Sequence, residues 1–294
     1  MGARTARDIS YANCAETRAG RLIIRAMENA TGRLGLIKRA HGYERDVERG
    51  GDFWEVMATR YGLSLDIAAG TLEHIPKTGP LIVTSNHPYG ILDGLILGLI
   101  LSRVRGDFKI LANSVFQKAG ALDPIILPVS FDPSKQAIQS NLQTRKAALE
   151  YLSQGGAIGV FPGGTVSTAR SPLGKPRDPS WGAFTARLVR SSNAAVVPIY
   201  FQGQTSRLFQ IASHLHSTLR LGLLIREFHA RVDTPVRVSI GAPLQSAQIQ
   251  ARSKDARELM DFLRRSTYEL SSDHCDASQY GLGFEQKTNA QGKS

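Results

Sequence analysis

The chain has 294 residues, of which 42% are hydrophobic and 21% are charged, and this composition excludes an intrinsically disordered protein. Its 36 Lys and Arg residues outnumber its 25 Asp and Glu residues. The resulting net charge of +11 predicts an anionic partner, such as nucleic acid, an acidic lipid surface or a phosphorylated cofactor. The two cysteines, Cys14 and Cys275, are too few for a disulfide framework and have no histidines at metal-site spacing, so we interpret both as reduced thiols.

The start of the chain and its apolar runs bear on location. Residues 1–8 are charged and lack the apolar stretch of a signal peptide. The longest apolar run, residues 94–101, is much shorter than the roughly 20 residues of a membrane-spanning helix. We therefore expect a cytoplasmic protein whose contact with a membrane is peripheral.

Residues 8–61 are predicted to form helices with an apolar and a basic side. The apolar side comprises Leu22, Ile23, Ile24, Met27 and Leu34. Such a helix can lie in a lipid interface, with its cations near the lipid phosphates. It can equally pack on its own domain and leave the basic side in water. The sequence leaves both interpretations open.

From residue 63 onward, short strand patterns alternate with helical ones. Strands are predicted at 81–84, 108–111, 125–129, 157–161, 195–201 and 236–240. Helices are predicted at 90–102, 134–153, 181–191, 206–228 (in two pieces) and 248–270. This alternation predicts an α/β fold, in which helices flank a mostly parallel or mixed central sheet. We expect N-terminal basic amphipathic helices over 1–61, a catalytic domain over 62–271 and a flexible tail over 272–294.

The strongest local motif, TSNHPYGILDG, spans residues 84–94, where a predicted strand ends and a helix begins. Open α/β sheets place their ligand crevices at such ends. His87 can act as a general base there, provided that a partner such as Asp93 orients its ring. The pair would then act like a catalytic triad without its serine, with the nucleophilic hydroxyl supplied by the substrate. A structural histidine and an unrelated ion pair are the alternative.

A second motif, GVFPGGTVS over residues 159–167, follows another predicted strand. Gly163 and Gly164 allow the backbone to approach a ligand and to direct N–H groups at its oxygen atoms. The motif is not a P-loop, because no Gly-Lys-Ser or Gly-Lys-Thr follows at the required spacing. An ordinary strand-to-helix turn is the alternative interpretation.

Taken together, these motifs resemble those of the glycerolipid acyltransferase superfamily, the relatives of lysophosphatidate acyltransferase. That family has Asn-His followed by Asp, then Phe-Pro-Glu-Gly-Thr, then an apolar strand ending in Pro, matched here by Val196-Val197-Pro198. The order and spacing agree over roughly residues 65–245. The chain looks most similar to the bacterial branch that includes hemolysin-like and lyso-ornithine-lipid acyltransferases.

Two departures from the family pattern concern the acceptor. Gly163 stands where the glycerophosphate enzymes carry a glutamate that contributes to acceptor binding. The family's second motif usually supplies an arginine for the acceptor phosphate, but this region offers only Lys109 and, nearby, Lys118. The absence of the glutamate argues against a plain glycerophosphate acceptor, and no arginine can be assigned to the second motif.

The resemblance implies direct transfer of a fatty acyl group from acyl-CoA or acyl-carrier protein to a lysolipid hydroxyl, a lysophospholipid or a lyso-ornithine lipid. His87 and Asp93 are the implied catalytic pair. The implied substrate-binding residues are Asn86, Lys109, Phe161, Pro162, Gly163, Gly164 and Thr165. The implied site needs no metal or cofactor besides the acyl donor, and its implied location is the cytoplasmic face of the inner membrane.

Two other classes of protein remain open. In a lipid hydrolase, Ser85 or Ser167 would be the nucleophile for His87, but the chain has no Gly-x-Ser-x-Gly elbow. The protein can also be a non-catalytic lipid-binding protein at a membrane surface. Nucleic-acid binding is not expected, because no aromatic residues are interleaved with the cations on a sheet face.

Overall fold

The structure is a computed structural model that describes residues 10–15, 17–113, 122, 124–130, 134–273 and 276–283. Lys118, Cys275 and part of the predicted tail lie outside these described residues. The strands are β1 Ser64–Ala69, β2 Leu81–Ser85, β3 Phe108–Asn113, β4 Ile126–Val129, β5 Ala157–Val160, β6 Ala195–Phe201 and β7 Pro235–Ile240.

The helices are α1 Arg18–Ala30, α2 Arg33–Ala40, α3 Tyr43–Glu48, α4 Phe53–Arg60, α5 Ile91–Val104, α6 Lys135–Ser153, α7 Ala183–Ser192, α8 Arg207–Leu215, α9 Ser217–His229, α10 Ser246–Arg252 and α11 Ala256–Tyr268. The two predicted pieces of 206–228 are α8 and α9. The single helix predicted over 248–270 is wrong, because the chain breaks between α10 and α11. Asp255 caps the start of α11 by accepting a hydrogen bond from the N–H of Arg257.

The seven strands form one sheet in the order β1-β7-β6-β2-β5-β3-β4. Five of the six neighbouring pairs are parallel, and β6 with β7 is antiparallel. The sheet is therefore mixed and mostly parallel, which confirms the predicted fold class. Central strand β2 is buried along its whole length, as expected for a strand covered on both faces.

Alternate side chains of β2 build two separate cores, because successive residues of a strand point to opposite faces. Leu81 and Val83 join the apolar cluster that includes residues of α5, α8, α9 and the N-terminal helices. Ile82 joins the cluster that includes residues of α6, α7 and α11. The N-terminal helices therefore cover one face of the sheet, while the boundary predicted near residue 61 stays a prediction.

Helix α1 packs on α9 and also keeps apolar side chains in contact with solvent. Ile24 is fully buried, and Met27 lies against Gly222 of α9, where a glycine leaves room for its sulfur. Leu22 and Ile23 of the same helix are 73% and 49% exposed. Within the described parts of the chain, no helix combines the length and apolar character needed to cross a membrane.

Candidate active site

The candidate site lies where β2 and β5, two adjacent parallel strands, reach their carboxyl ends. The segment after β2 carries His87, and the segment after β5 begins at Phe161. These two loops touch, because the backbone N–H of Ser167 donates a 2.8 Å hydrogen bond to the carbonyl oxygen of His87. The sheet topology thus brings together two motifs that are far apart in the sequence.

Asn86 fixes the first loop to the neighbouring strand. Its side-chain amide donates to the carbonyl oxygen of Phe201 at 2.9 Å and accepts from the N–H of the same residue at 2.7 Å. Asn86 is buried and continues the pairing between β2 and β6 past the end of β2. The structure therefore gives this predicted substrate-binding residue contacts within the fold.

His87 and Asp93 meet as the motif predicted. Nδ1 of His87 lies 3.0 Å from Oδ2 of Asp93. The two atoms are in ion-pair contact, although the ring N–H lacks the alignment of a hydrogen bond. Catalytic hydrogen bonds are often poorly aligned before a substrate binds, so this geometry is compatible with an orienting pair. With Nδ1 facing the carboxylate, Nε2 is the ring nitrogen that can take a proton.

A helix-capping arrangement brings Asp93 back toward the ring. Asp93 is the third residue of α5, and its Oδ2 accepts hydrogen bonds from the N–H groups of Tyr89 at 2.7 Å and Gly90 at 3.0 Å. Gly90 has a φ of +77°, a left-handed conformation that favours glycine. The tight start of α5 thus explains how five intervening residues still allow contact between His87 and Asp93.

Asp93 is 0% exposed, and burial disfavours its charged form. Burial raises the pKa of Asp93, while the contact with His87 and the two backbone N–H groups act in the opposite direction. A proton taken up by the imidazole would place a positive charge beside this buried carboxylate, and the charged pair would then be favoured. The arrangement therefore suits a histidine that becomes transiently protonated.

The glycine-rich turn packs against the histidine. The ring of Phe161 stacks on that of His87, with the centroids 4.3 Å apart and an interplanar angle of 28°. The N–H of Gly164 donates to the carbonyl oxygen of Phe161 at 3.0 Å, and the carbonyl oxygen of Pro162 accepts from Gly182 at 3.0 Å. Among the described residues, the N–H groups of Gly163 and Thr165 have no hydrogen-bond partner.

An apolar cavity of about 380 Å³ begins beside His87 and runs beneath the N-terminal helices. His87, Phe161, Gly164 and Thr165 line it at the end nearest the two motifs. Its apolar walls include Tyr43, Trp54, Met57, Ile91, Leu95 and Leu224. A mainly apolar pocket with a few polar groups is typical of a small-molecule site, and its volume lies within the usual range of roughly 300–1,000 Å³.

A family model described as "Acyltransferase" matches residues 52–278, which is most of the chain. The chain belongs to this acyltransferase family. The predicted family resemblance is thereby confirmed.

Two relatives of this acyltransferase are named lyso-glycine lipid O-acyltransferases. The protein from Phocaeicola vulgatus is 30% identical over 139 residues, which cover 47% of each chain. The protein from Bacteroides thetaiotaomicron is 26% identical over 207 residues, which cover 68% of this chain and 73% of that one. The match thus spans about half the length of the first relative and nearly three quarters of the second.

A solved structure is also similar to the acyltransferase. It is the crystal structure of the 1-acyl-sn-glycerophosphate acyltransferase PlsC from Thermotoga maritima, with 16% identity and a TM-score of 0.43. The match covers 90% of this chain and 87% of that one.

Lys109 lies apart from the other predicted site residues of the acyltransferase. Its Nζ donates to the carbonyl oxygen of Pro124 at 2.9 Å and lies 5.0 Å from the ring centroid of Tyr151. Lys109 is not among the residues that line the cavity, whereas its neighbour Ile110 is. Because side chains alternate along a strand, these two residues of β3 point to opposite faces of the sheet.

Arg220 of α9 lines the cavity, and sequence reasoning missed it. Its guanidinium donates to the hydroxyl oxygens of Thr165 and Thr168 and to the carbonyl oxygen of Val166, at 2.6–2.9 Å. Burial lowers the pKa of Arg220, because the charged form is removed from water. The available signal was weak: an arginine within the apolar run of residues 219–225.

Proposed function

We propose that this acyltransferase moves a fatty acyl group from a thioester donor to the hydroxyl of a lysolipid, with His87 as general base. The observation that carries the proposal is the position of His87, which touches the buried carboxylate of Asp93 and lines an apolar cavity. A base, a charge partner and space for an acyl chain meet at this point.

The reaction is a direct transfer. Nε2 of His87 takes the proton of the acceptor hydroxyl as its oxygen attacks the thioester carbonyl carbon. Asp93 pairs with the imidazolium that forms. The tetrahedral intermediate then collapses, the carbon–sulfur bond breaks, and the leaving thiolate receives the proton from His87. The free N–H of Thr165 supports a role in stabilising the oxyanion.

The cavity takes the fatty acyl chain. Its walls are largely aliphatic and aromatic, and burial of each methylene group of a chain would contribute about 0.8 kcal/mol. Its catalytic end is lined by the same turn that supplies Thr165, so a chain in the cavity would bring its carbonyl to His87. The donor is acyl-CoA or acyl-carrier protein, and the reaction uses no further cofactor and no metal.

The acceptor is the lysolipid form of an amino-acid lipid, such as a lyso-glycine or lyso-ornithine lipid. The names of the two relatives support this class. The absence of a side chain at Gly163 supports it as well, because the glycerophosphate enzymes that this chain resembles carry a carboxylate there. Acylation of lysophosphatidate would contradict this part of the proposal.

The enzyme works as a peripheral protein at the cytoplasmic face of the inner membrane. The exposed Leu22 and Ile23 of α1 support this location, together with the exposed cations Arg18 and Arg21 on the same helix. Apolar side chains can enter the acyl boundary of a bilayer while arginines contact anionic lipid phosphates.

The geometry disfavours a serine hydrolase. The hydroxyl of Ser167 donates to the carboxylate of Asp178 at 2.5 Å, and this serine is buried. Ser85 is fully buried as the last residue of β2. Neither hydroxyl is bound to His87, so the nucleophile of the proposed reaction comes from the acceptor.

The decisive experiment incubates purified protein with radiolabelled acyl-CoA or acyl-carrier protein and a panel of lysolipids in anionic vesicles. We expect an acylated amino-acid lipid, and its loss in His87→Ala. His214→Ala is the matched control, since His214 bonds the carbonyl oxygen of Ala169 and lies outside the cavity lining. Full activity of His87→Ala would refute the mechanism, and acylation of none of the panel would refute the function.

A further inference from the structure

Asp178 is a buried carboxylate that the proposed reaction does not use. It is 0% exposed, and three donors converge on its two oxygen atoms. Oδ1 accepts from the backbone N–H of His87 at 3.2 Å and from the hydroxyl of Ser167 at 2.5 Å. Oδ2 accepts from the indole N–H of Trp181 at 2.9 Å. This carboxylate therefore touches both loops of the active site.

The contacts of Asp178 complete a closed link between those loops. Ser167 already donates its backbone N–H to the carbonyl oxygen of His87. The carboxylate binds the N–H of the same histidine and the hydroxyl of the same serine. Both the backbone N–H and the backbone carbonyl oxygen of His87 are thus hydrogen-bonded, which restricts how far the imidazole can move relative to the turn.

The backbone of Asp178 is itself firmly held. Its N–H donates to the hydroxyl oxygen of Tyr268 at 2.7 Å, and its carbonyl oxygen accepts from the N–H of Gly281 at 2.8 Å. The guanidinium of Arg264 donates to the same carbonyl oxygen at 3.2 Å. A carboxylate on such a fixed backbone can serve as a reference point for the loops around it.

Gly163 leaves the space that this carboxylate occupies. A Cβ atom at position 163 would lie 3.3 Å from Cβ, Cγ and Oδ2 of Asp178, closer than most carbon contacts. Even an alanine would press on the aspartate. The absence of a side chain at 163 and the presence of the buried carboxylate are therefore two parts of one arrangement.

We propose that Asp178 is a positioning residue, which sets the place of His87 relative to the glycine-rich turn through its contacts with both loops. The inference rests on the proposed function. A carboxylate suits this role because it accepts on both oxygen atoms, whereas an asparagine must direct its NH₂ group at one of the three donors.

The test compares Asp178→Asn with the double variant Asp178→Asn/Trp181→Phe. In the single variant the NH₂ group of the asparagine faces either the indole N–H of Trp181 or the two donors from the loops, so at least one donor loses its acceptor. We expect kcat to fall roughly 10- to 100-fold with KM for both substrates within about twofold, since a small misplacement of a catalytic group can cost this much. Removing the indole N–H lets the amide oxygen face His87 and Ser167, so the double variant should recover most of the lost kcat.

A second variant perturbs Asp178 without removing any hydrogen-bonding group. Gly163→Ala should lower kcat, because its Cβ would lie 3.3 Å from atoms of Asp178. Gly182→Ala is its matched control, because a Cβ there lies 3.7 Å from its nearest neighbour, the carbonyl oxygen of Pro162. Thermal melts establish that each variant is folded at the assay temperature, and Gly163→Ala keeps the proposal testable if Asp178→Asn does not fold.

The outcomes separate this proposal from the proposed function. Activity of His87→Ala equal to that of the wild type would refute the function itself. If His87→Ala is inactive while Asp178→Asn and Gly163→Ala keep the wild-type kcat, positioning by Asp178 is wrong and the function stands. An unrecovered kcat in the folded double variant would also overturn positioning, because the negative charge would then be what matters.

Discussion

Replacing Asp93 with asparagine should abolish most of the activity and leave the fold intact. Oδ2 of Asp93 accepts from the N–H groups of Tyr89 and Gly90, and an amide oxygen can accept from both. Among the described residues, Oδ1 has no hydrogen-bond partner, so the NH₂ group of an asparagine would displace no donor. The variant therefore keeps the start of α5 while it removes the charge beside His87.

The expected magnitudes follow from these contacts. Hydrogen bonds to a charged group contribute about 1.5–3 kcal/mol and neutral ones about 0.5–1.5 kcal/mol, so weakening two of them costs roughly 2 kcal/mol. Removing a fully buried charge also removes its desolvation cost, which stabilises the folded state by a similar or greater amount. We expect the free energy of unfolding to change by less than about 2 kcal/mol, while kcat falls roughly 10²- to 10⁴-fold.

The pH dependence of stability gives an independent check on Asp93. Because burial raises its pKa above 3.8, the folded protein binds this proton more tightly than the unfolded chain does. The contribution of Asp93 to the free energy of unfolding is therefore lost as pH rises from its pKa in the unfolded chain through its pKa in the folded protein. The asparagine variant does not show this loss.

Urea unfolding of both proteins between about pH 3.5 and 7 should show the variant gaining stability relative to the wild type as pH rises. The opposite trend would mean that the fold favours the ionised Asp93. Wild-type activity in the folded variant would refute the orienting pair.

Four further substitutions test packing contacts and the cavity. Gly98→Ala should lower the free energy of unfolding by about 1–3 kcal/mol, since its Cβ would lie 2.2 Å from the Trp54 ring. Gly94→Ala, with nothing within 4 Å of its Cβ, should change stability much less; equal urea midpoints for the two variants would contradict the packing of α4 on α5. Gly94→Leu should shift acyl-donor preference toward shorter chains in a competition assay, because Gly94 lines the cavity, and an unchanged preference would exclude this cavity as the chain site. Glu28→Ala should cost roughly 1–3 kcal/mol by thermal melting, because Ser10 donates to this buried carboxylate at 2.6 Å; an unchanged melting temperature would contradict this estimate.

The parts of the fold that the sequence predicts well are those that local pattern determines. Strand β6 matches its predicted bounds at Ala195–Phe201, because a β-branched and aromatic run is typical of a buried strand. The contact between His87 and Asp93 was also predictable, since glycine at position 90 and an acidic third helix residue are both local signals. The break between α10 and α11 was missed, although Asp255 is a residue type that favours the N-cap of a new helix.

The residues that the sequence does not reveal act across long separations. Asp178 is 91 positions from His87, and Arg220 is 55 positions from Thr165, so no spacing within a motif indicates their contacts. Lys109 is the opposite case. It lies in a region that the family motif indicates, but its side chain does not line the cavity. Tertiary contacts decide these roles, and the sequence contains at most a weak local signal for them.

The cavity links the N-terminal helices to the candidate site, a contact that their sequence alone did not predict. Tyr43, Trp54 and Met57 line the same space as His87, although the first helices and the loop that carries His87 lie on opposite sides of the predicted boundary near residue 61. Helix α1 also carries Leu22 and Ile23, which are exposed. The two interpretations of the basic helices, packing on the domain and contact with lipid, are thus compatible within one element.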